Sequence, residues 1–256
     1  MGGPKILTLK NFNFDQIKIR NSDVDFVSTL PEEIRQQTDV IWKEKSGKLL
    51  SEGKSIWDGV LYRVANVAEI EAYQRGEIEF ELGVVNYRYP FVSKDLLDFY
   101  ENNPKYRIHH FGIGAVILTS DNLFALGKRN PKKNIHADNV DLIGGTFNQD
   151  EQILQTGEDL KTSLSRELAE EAGIAPRDVL QTKAIGIIQS YQYYVQIICV
   201  VELNKTSSEL DRIFMQKEDE EMSGMIYKSS AEIKDYLDTL PTYRPLVSKL
   251  LTNYGY

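Results

Sequence analysis

The sequence predicts an α/β protein: an α/β/α sandwich around a mixed sheet, preceded by an α+β extension. Two observations carry this. Apolar runs of strand length bracket one well-delimited amphipathic helix, and further helical segments follow them. An Asn-Pro pair at 103–104 breaks the pattern and separates residues 1–105 from residues 106–256, because the residue before proline is driven away from helix.

In chain order, "KILTLK" (5–10) and "QIKIR" (16–20) alternate apolar and polar residues and predict strands. "LPEEIRQQTDVIWKEKSG" predicts a helix with Pro31 in its first turn and Gly47 as its stop. "GVLYRVANVAEI" and "EIEFELGVVNYRYPF" predict strands around the turn "QRGE", and "SKDLLDFYEN" a short helix. Beyond the Asn-Pro pair, "HFGIGAVILTS" and "NLFALGKR" predict strands around a turn at Ser120 to Asn122. "NVDLIGGTF" predicts a third that ends in a glycine pair. A helix over 157–172 precedes strands at "AIGIIQSYQ" and "YYVQIICVVEL". Then come a helical or looped acidic stretch, "SSELDRIFMQKEDEE", a strand at "SGMIYKS", and helices near 230–239 and 243–253.

Composition narrows the function classes. The chain has 256 residues with 41% hydrophobic content, enough for one large core or one core with a smaller appended unit. Its formal net charge is -8, and no dense Lys/Arg block occurs, which argues against a nucleic-acid partner. An anionic substrate therefore needs a metal or a few placed basic side chains. The single cysteine, Cys199, allows neither a disulfide framework nor a thiolate metal cluster, and its apolar setting predicts core packing. The N-terminus carries no signal-peptide pattern and no run is long enough for a membrane span, so a cytoplasmic location is expected.

The helix over 157–172 carries the chemistry. Thr156 and Asp159 predict a capping box, while Gly173 and Pro176 stop the helix. At 100° per residue, Glu170 and Glu171 lie about 60° to one side and about 40° to the other of Glu167, so the three carboxylates share a face. Leu164, Leu168 and Ala172 form the adjoining apolar stripe. Like charges at this spacing repel unless a cation lies between them. A hard divalent ion, Mg²⁺ or Mn²⁺, suits carboxylate oxygens and retains waters for a phosphate substrate. Arg166 stands one turn before Glu170 and can orient a carboxylate through paired hydrogen bonds.

Read outward, the pattern is Glu158, seven residues, Arg166-Glu167-Leu168, one residue, Glu170-Glu171, one residue, Gly173-Ile174. This resembles the Nudix hydrolase box, G-x5-E-x7-R-E-U-x-E-E-x-G-U with U aliphatic, at every position from the first Glu onward. The box glycine would fall at Gln152. The nearest glycines, Gly144 and Gly145, imply an insertion of seven residues in the loop leading to the helix. The resemblance covers roughly residues 106–256 and implies a Nudix-type sandwich. It implies Glu167, Glu170, Glu171 and the Gly144 carbonyl as ligands to Mg²⁺ or Mn²⁺, with Glu158 and Arg166 bracing them.

Such a site suits metal-assisted attack of water on a diphosphate. The stretch "QKEDEEMSG" offers Glu218, Asp219, Glu220 and Glu221 as bases, and Glu221, at the mouth of the next strand, is the favoured one. In the N-terminal section, "VIWKEK", "SIWDGVLYRV" and "ELGVVNYRYPF", in that order, resemble the UDP-sugar pyrophosphatase branch of the family. That implies hydrolysis of UDP-glucose or a similar sugar nucleotide to UMP and sugar 1-phosphate. Trp57, Tyr62, Tyr87 and Arg88 become candidates for base or phosphate contact. The expected partner is a small nucleoside diphosphate derivative.

Other patterns fail. In "GKS" at 53–55 the preceding glycine, Gly47, is one residue too far for a P-loop, and "GIG" at 112–114 opens a strand instead of a helix. His109 and His110 are adjacent and His136 is isolated, which disfavours zinc, and no G-x-S-x-G occurs. Three alternatives stay open. One is a Nudix hydrolase of ADP-ribose, NADH or a dinucleoside polyphosphate. The second is an isomerase on the same fold that needs a catalytic cysteine, and the third is a sugar-nucleotide binding module without turnover.

Overall fold

The strands Phe111–Leu118 and Val195–Leu203 bury both faces, so the sheet must be covered on both sides. The structure, a computed structural model, describes residues 4–131, 140–217 and 221–256. The N-terminal section comprises β1 (Lys5–Thr8), β2 (Ile17–Asn21), α1 (Phe26–Thr29), α2 (Glu32–Ser51), β3 (Val60–Val64), α3 (Val67–Glu71), β4 (Ile78–Asn86), α4 (Arg88–Val92) and α5 (Leu97–Asn102). There follow β5 (Phe111–Leu118), β6 (Leu123–Arg129), β7 (Val140–Asp141), β8 (Ile143–Thr146), α6 (Gly157–Ala172), β9 (Val179–Gln189), β10 (Val195–Leu203), α7 (Ser207–Phe214), β11 (Met222–Ser229), α8 (Ile233–Thr239) and α9 (Arg244–Tyr254).

The large sheet runs β1-β9-β10-β5-β6-β11, with β7 on β6 and β8 on β5. The β10–β5 pair is parallel and the others are antiparallel, so the sheet is mixed. Alternation along the strands feeds two cores. Ile197, Cys199 and Val201 of β10 pack with Leu160, Leu164 and Leu168 of α6 and Leu210 of α7. Ile198 and Val200 of the same strand pack with Ile233 and Leu237 of α8 and Val247, Leu250 and Leu251 of α9. This is the expected α/β/α sandwich. Each fully buried Leu or Ile contributes roughly 1.5–3 kcal/mol relative to exposure. No helix among the described residues is long and apolar enough to cross a membrane.

Two features place the site. Strands β5 and β6 pair only at Ile117↔Ala125 and Leu118↔Phe124, then diverge. The short β8 lies along β5, pairing Gly114 with Gly144, and β7 lies along β6. A second sheet, β2-β4-β3, lies beside the start of α6. Lys18 bridges to Thr156, Leu61 to Asn148 and Arg63 to His110. Gly157 must lack a side chain, since a Cβ there would strike the Phe14 carbonyl.

Several predicted boundaries move. The helix expected to stop at Gly47 continues to Ser51, and Gly53 just beyond it (φ 73) turns the chain, its N–H bonding back to the Leu50 carbonyl at 3.1 Å. The strand expected over "GVLYRVANVAEI" ends at Val64. The Asn66 side chain there donates to the Glu79 carbonyl (2.8 Å) and accepts from the Glu81 amide (2.9 Å), and α3 follows. The strand over "EIEFELGVVNYRYPF" ends at Asn86, where Asp58 accepts the Arg88 amide at 2.8 Å and the chain turns helical. "NVDLIGGTF" is two short strands on different partners, with the glycine pair inside the second. Among the described residues of the acidic stretch, helix is confined to α7.

Candidate active site

Helix α6 is fixed at both ends. Asp159 accepts from the amide of the N-cap Thr156 at 2.8 Å, as in a capping box, and from the preceding Gln155 amide at 2.9 Å. At the other end Gly173 adopts φ 73, and Ile174 donates to the Leu168 carbonyl at 3.0 Å. Leu160, Leu164, Leu168 and Ala172 are buried against the sheet. The helix is therefore a rigid mount for its acids.

Glu171 is 3% exposed and accepts the Gly144 amide at 2.9 Å. Glu167 packs on the next residue, since a Cβ on Gly145 would stand 2.9 Å from its Oε1. The glycine pair thus lets the backbone of β8 lie directly against two carboxylates. Gly144 has φ 147, a backbone that other residues rarely adopt. Burial pushes the Glu171 carboxyl up to about 9, with Glu221 and Glu167 adding repulsion and the Gly144 amide and Arg129 opposing it. Burial likewise raises Glu167 to about 7, against the pull of Arg166. In both groups desolvation outweighs the pull of the nearby guanidinium.

Glu170 turns outward, half exposed, and Arg166 Nη1 holds it at 2.6 Å. Arg166 Nη2 meets both Glu167 and Glu151 at 2.6 Å. Glu158, expected beside Arg166, instead lies on the exposed first turn and pairs with Lys161 at 3.4 Å. Glu151 stands in its place, six residues after Gly145, the separation the box asks of its first glycine and glutamate. The seven extra residues therefore lie between Glu151 and Arg166. They are not loose: Gln152 donates to the Asp159 carbonyl at 3.0 Å and accepts from the Ser163 hydroxyl.

Glu221 sits at the start of β11, as expected, and its carboxylate pairs with Arg129. Arg129 also holds Asp141 at 3.2 Å, and Asp141 in turn takes Arg244 at 3.2 Å and the Tyr243 hydroxyl. Arg129 and Asp141 were not among the sequence candidates. Neither belongs to the box spacing, and strand divergence alone brings them to the acids. Glu218, Asp219, Glu220 and His136 lie outside the described residues.

The N-terminal candidates divide. Tyr87 packs 6.3 Å from Trp57, and beside Trp42 and Phe91. Trp57 is 47% exposed, an open aromatic face. Arg88 adjoins them, held by Asp58 at 2.7 Å and Asp39 at 2.9 Å. Tyr62 is apart from this group, buried in the core, where its hydroxyl accepts the Leu154 amide at 3.1 Å. Cys199 is fully buried mid-strand, and burial raises its thiol well above the usual range. It is unsuited to covalent work.

Among the described residues, no three His, Cys, Asp or Glu side chains stand gathered as a ready cation cage. The donor set nevertheless fits a hard divalent ion. One buried carboxylate, Glu171, and one partly buried, Glu167, adjoin a glycine backbone, and a third, Glu170, lies on the same helix face.

No family model and no curated protein matches the chain. Solved structures similar to it include the MutT protein from Methanosarcina mazei Go1, at 22% identity over 57% of this chain and 96% of that one, TM-score 0.39. Another is a Nudix hydrolase from Nitrosomonas europaea, at 20% identity over 57% and 87%, TM-score 0.35. A third is the Nudix domain of Shewanella oneidensis NrtR complexed with ADP-ribose, at 15% identity over 62% and 98%, TM-score 0.37.

Proposed function

We propose that the chain is a divalent-cation-dependent Nudix pyrophosphohydrolase. Its substrate would be a nucleoside diphosphate linked to another moiety, foremost a UDP-sugar such as UDP-glucose, cleaved to UMP and sugar 1-phosphate. The observation that carries the reading is the pair of Glu171, buried, and Glu167, partly buried, set on one capped helix against the Gly144–Gly145 backbone. Glu167, Glu170, Glu171 and the Gly144 carbonyl would hold Mg²⁺ or Mn²⁺. Bound there, the ion would neutralise phosphoryl oxygens and acidify a water.

The protein's own part is positioning. Arg166 orients Glu167 and Glu170 through short charge-assisted hydrogen bonds. Glu221, across from Glu171 on the mouth of β11, would take the proton of the attacking water. The exposed face of Trp57 beside Tyr87 would stack the base, and Arg88 would face the phosphate. The UDP-sugar preference rests on the three N-terminal sequence stretches.

The test is incubation of the full chain with Mg²⁺ and a panel of UDP-sugars, ADP-ribose, NADH, dinucleoside polyphosphates and CoA, read by chromatography. UMP and sugar 1-phosphate from UDP-glucose are expected. Release of AMP from ADP-ribose alone would overturn the sugar-nucleotide preference, and no monophosphate from any member would overturn the hydrolase reading itself.

A further inference from the structure

Tyr243 and Arg244, at the start of α9, are 8% and 6% exposed although both carry polar ends. Those ends converge on Asp141. One Asp141 oxygen takes the Tyr243 hydroxyl, Arg244 Nη2 at 3.2 Å and the Leu142 amide at 3.0 Å, while the other takes Arg129 Nε at 3.2 Å. Arg244 Nη2 also donates to the Val140 carbonyl at 3.0 Å, so the guanidinium clasps both residues of β7. Beyond Arg129 stands Glu221, paired with its Nη1. Two guanidiniums and two carboxylates thus join α9, β7, β6 and the mouth of β11 in one chain of charges.

Asp141 sits where the backbone leaves β7, paired with β6, for β8, paired with β5, three residues before Gly144. The main chain of Glu221 is pinned, since its carbonyl accepts the Asn130 amide at 2.8 Å, but its side chain is 42% exposed and packing does not fix its rotamer. A guanidinium is planar, with its donors in a rigid fork, so a grip on Nε sets where Nη1 points. The direction given to Glu221 therefore originates in α9 and passes through Asp141.

We propose that Asp141 is a positioning residue for the base: braced by Tyr243 and Arg244, it orients Arg129 and so holds the Glu221 carboxylate at the mouth of the site. The inference rests on Glu221 as the base in the reading above. Sharing is the physical reason. With Asp141 on Nε, Arg129 divides its charge between two carboxylates. Without it, the guanidinium turns its whole charge on the acids that still face it, Glu221 and Glu171, and Glu221 loses its fixed line to the attacking water. A misplacement of about 1 Å at a reacting group costs on the order of a hundredfold in rate. None of the carboxylates assigned to the cation is displaced by this change, so cation binding stays whole.

The test is steady-state turnover of UDP-glucose, or of whichever panel member the full chain cleaves, with Mn²⁺ affinity followed in parallel by electron paramagnetic resonance. Glu221→Gln is the reference, expected to lower kcat at least about a hundredfold. Asp141→Asn, nearly isosteric but uncharged, is expected to lower kcat roughly tenfold to a hundredfold, with KM and Mn²⁺ affinity within about twofold of wild type. On a Glu221→Gln background, Asp141→Asn should cost nothing more in kcat, since its effect passes through that carboxylate. Wild-type kcat in Asp141→Asn overturns the inference. So does a loss confined to KM, which would make Arg129 a substrate contact, a fall in Mn²⁺ affinity that matches the fall in turnover, or an additive loss on Glu221→Gln. Should Asp141→Asn fail to fold by circular dichroism, because buried Arg244 then lacks its countercharge, Tyr243→Phe carries the test. It removes only the hydroxyl on Asp141: a severalfold lower kcat at wild-type KM supports the role, and unchanged kcat refutes it. Unchanged turnover in Glu221→Gln would instead fall on the choice of base, and turnover of no panel member on the hydrolase reading, and either takes the inference with it.

Discussion

Glu171 shows most clearly how burial and function oppose each other at one residue. Its carboxyl, ordinarily near 4.5, is raised to about 9 because the charged form is desolvated. The sign follows: the fold favours the protonated form, so it loses stability as pH rises from about 4.5 towards about 9, and Glu167 adds the same trend up to about 7. In a chelating buffer the melting temperature should therefore fall between pH 6 and pH 9, and added Mg²⁺ should restore more at the upper end than at the lower. A melting temperature that stays level over that range with chelator would refute the cost of burying these two charges. Glu171→Gln removes the buried charge, so turnover should drop at least about a hundredfold while the melting temperature at pH 8.5 stays level or rises. Near-normal activity in that variant would refute the assigned role. These acids were legible in the sequence because i, i+3, i+4 spacing fixes a helix face whatever the tertiary context. The outward turn of Glu170 was not, since it depends on which carboxylates Arg166 finds in space.

At the scale of the element, α6 starts and stops at the residues its local signals name, Thr156 with Asp159 and then Gly173. Those signals act within four residues, so no distant contact can override them easily. Gly173→Ala should destabilise the protein by at least about 1 kcal/mol, for two reasons. The added Cβ demands a left-handed alanine, and it comes within 2.9 Å of the Ile213 side chain on α7. Urea unfolding checks this, and an unchanged midpoint would refute it. Strand ends in the N-terminal section misled the reading for the opposite reason. Asn66 and Asp58 stop β3 and β4 by bonding to backbone groups 13 to 30 positions away, a distance no periodicity reveals. Glu158 misled it too: the box spacing fits Glu158, but Glu151 is the residue on Arg166.

Across the whole molecule, the sandwich was legible because near-continuous apolar strands such as "VQIICVVEL" must be covered on both faces. The weave of the N-terminal section was not. Strand β1 joins the edge of the large sheet on β9, while Phe12, Phe14 and Ile17 enter the core shared with α6. Deleting residues 1–21 should remove on the order of 6 kcal/mol of burial, at roughly 2 kcal/mol for each of those three side chains. That is comparable to the whole stability of a typical domain. Loss of cooperative thermal unfolding is the expected result, and a melting temperature within a few degrees of the full chain would refute it.

The parting of β5 and β6 gives the sheet the shape of a tuning fork, with β8 lining one tine and β7 the other. Helix α6 rests chiefly on β8, so Glu171 and its amide partner, Gly144, ride on the same tine. A change in the gap between the tines would therefore carry the acid and the backbone beneath it together, while the rungs joining β9, β10 and β5 stay made.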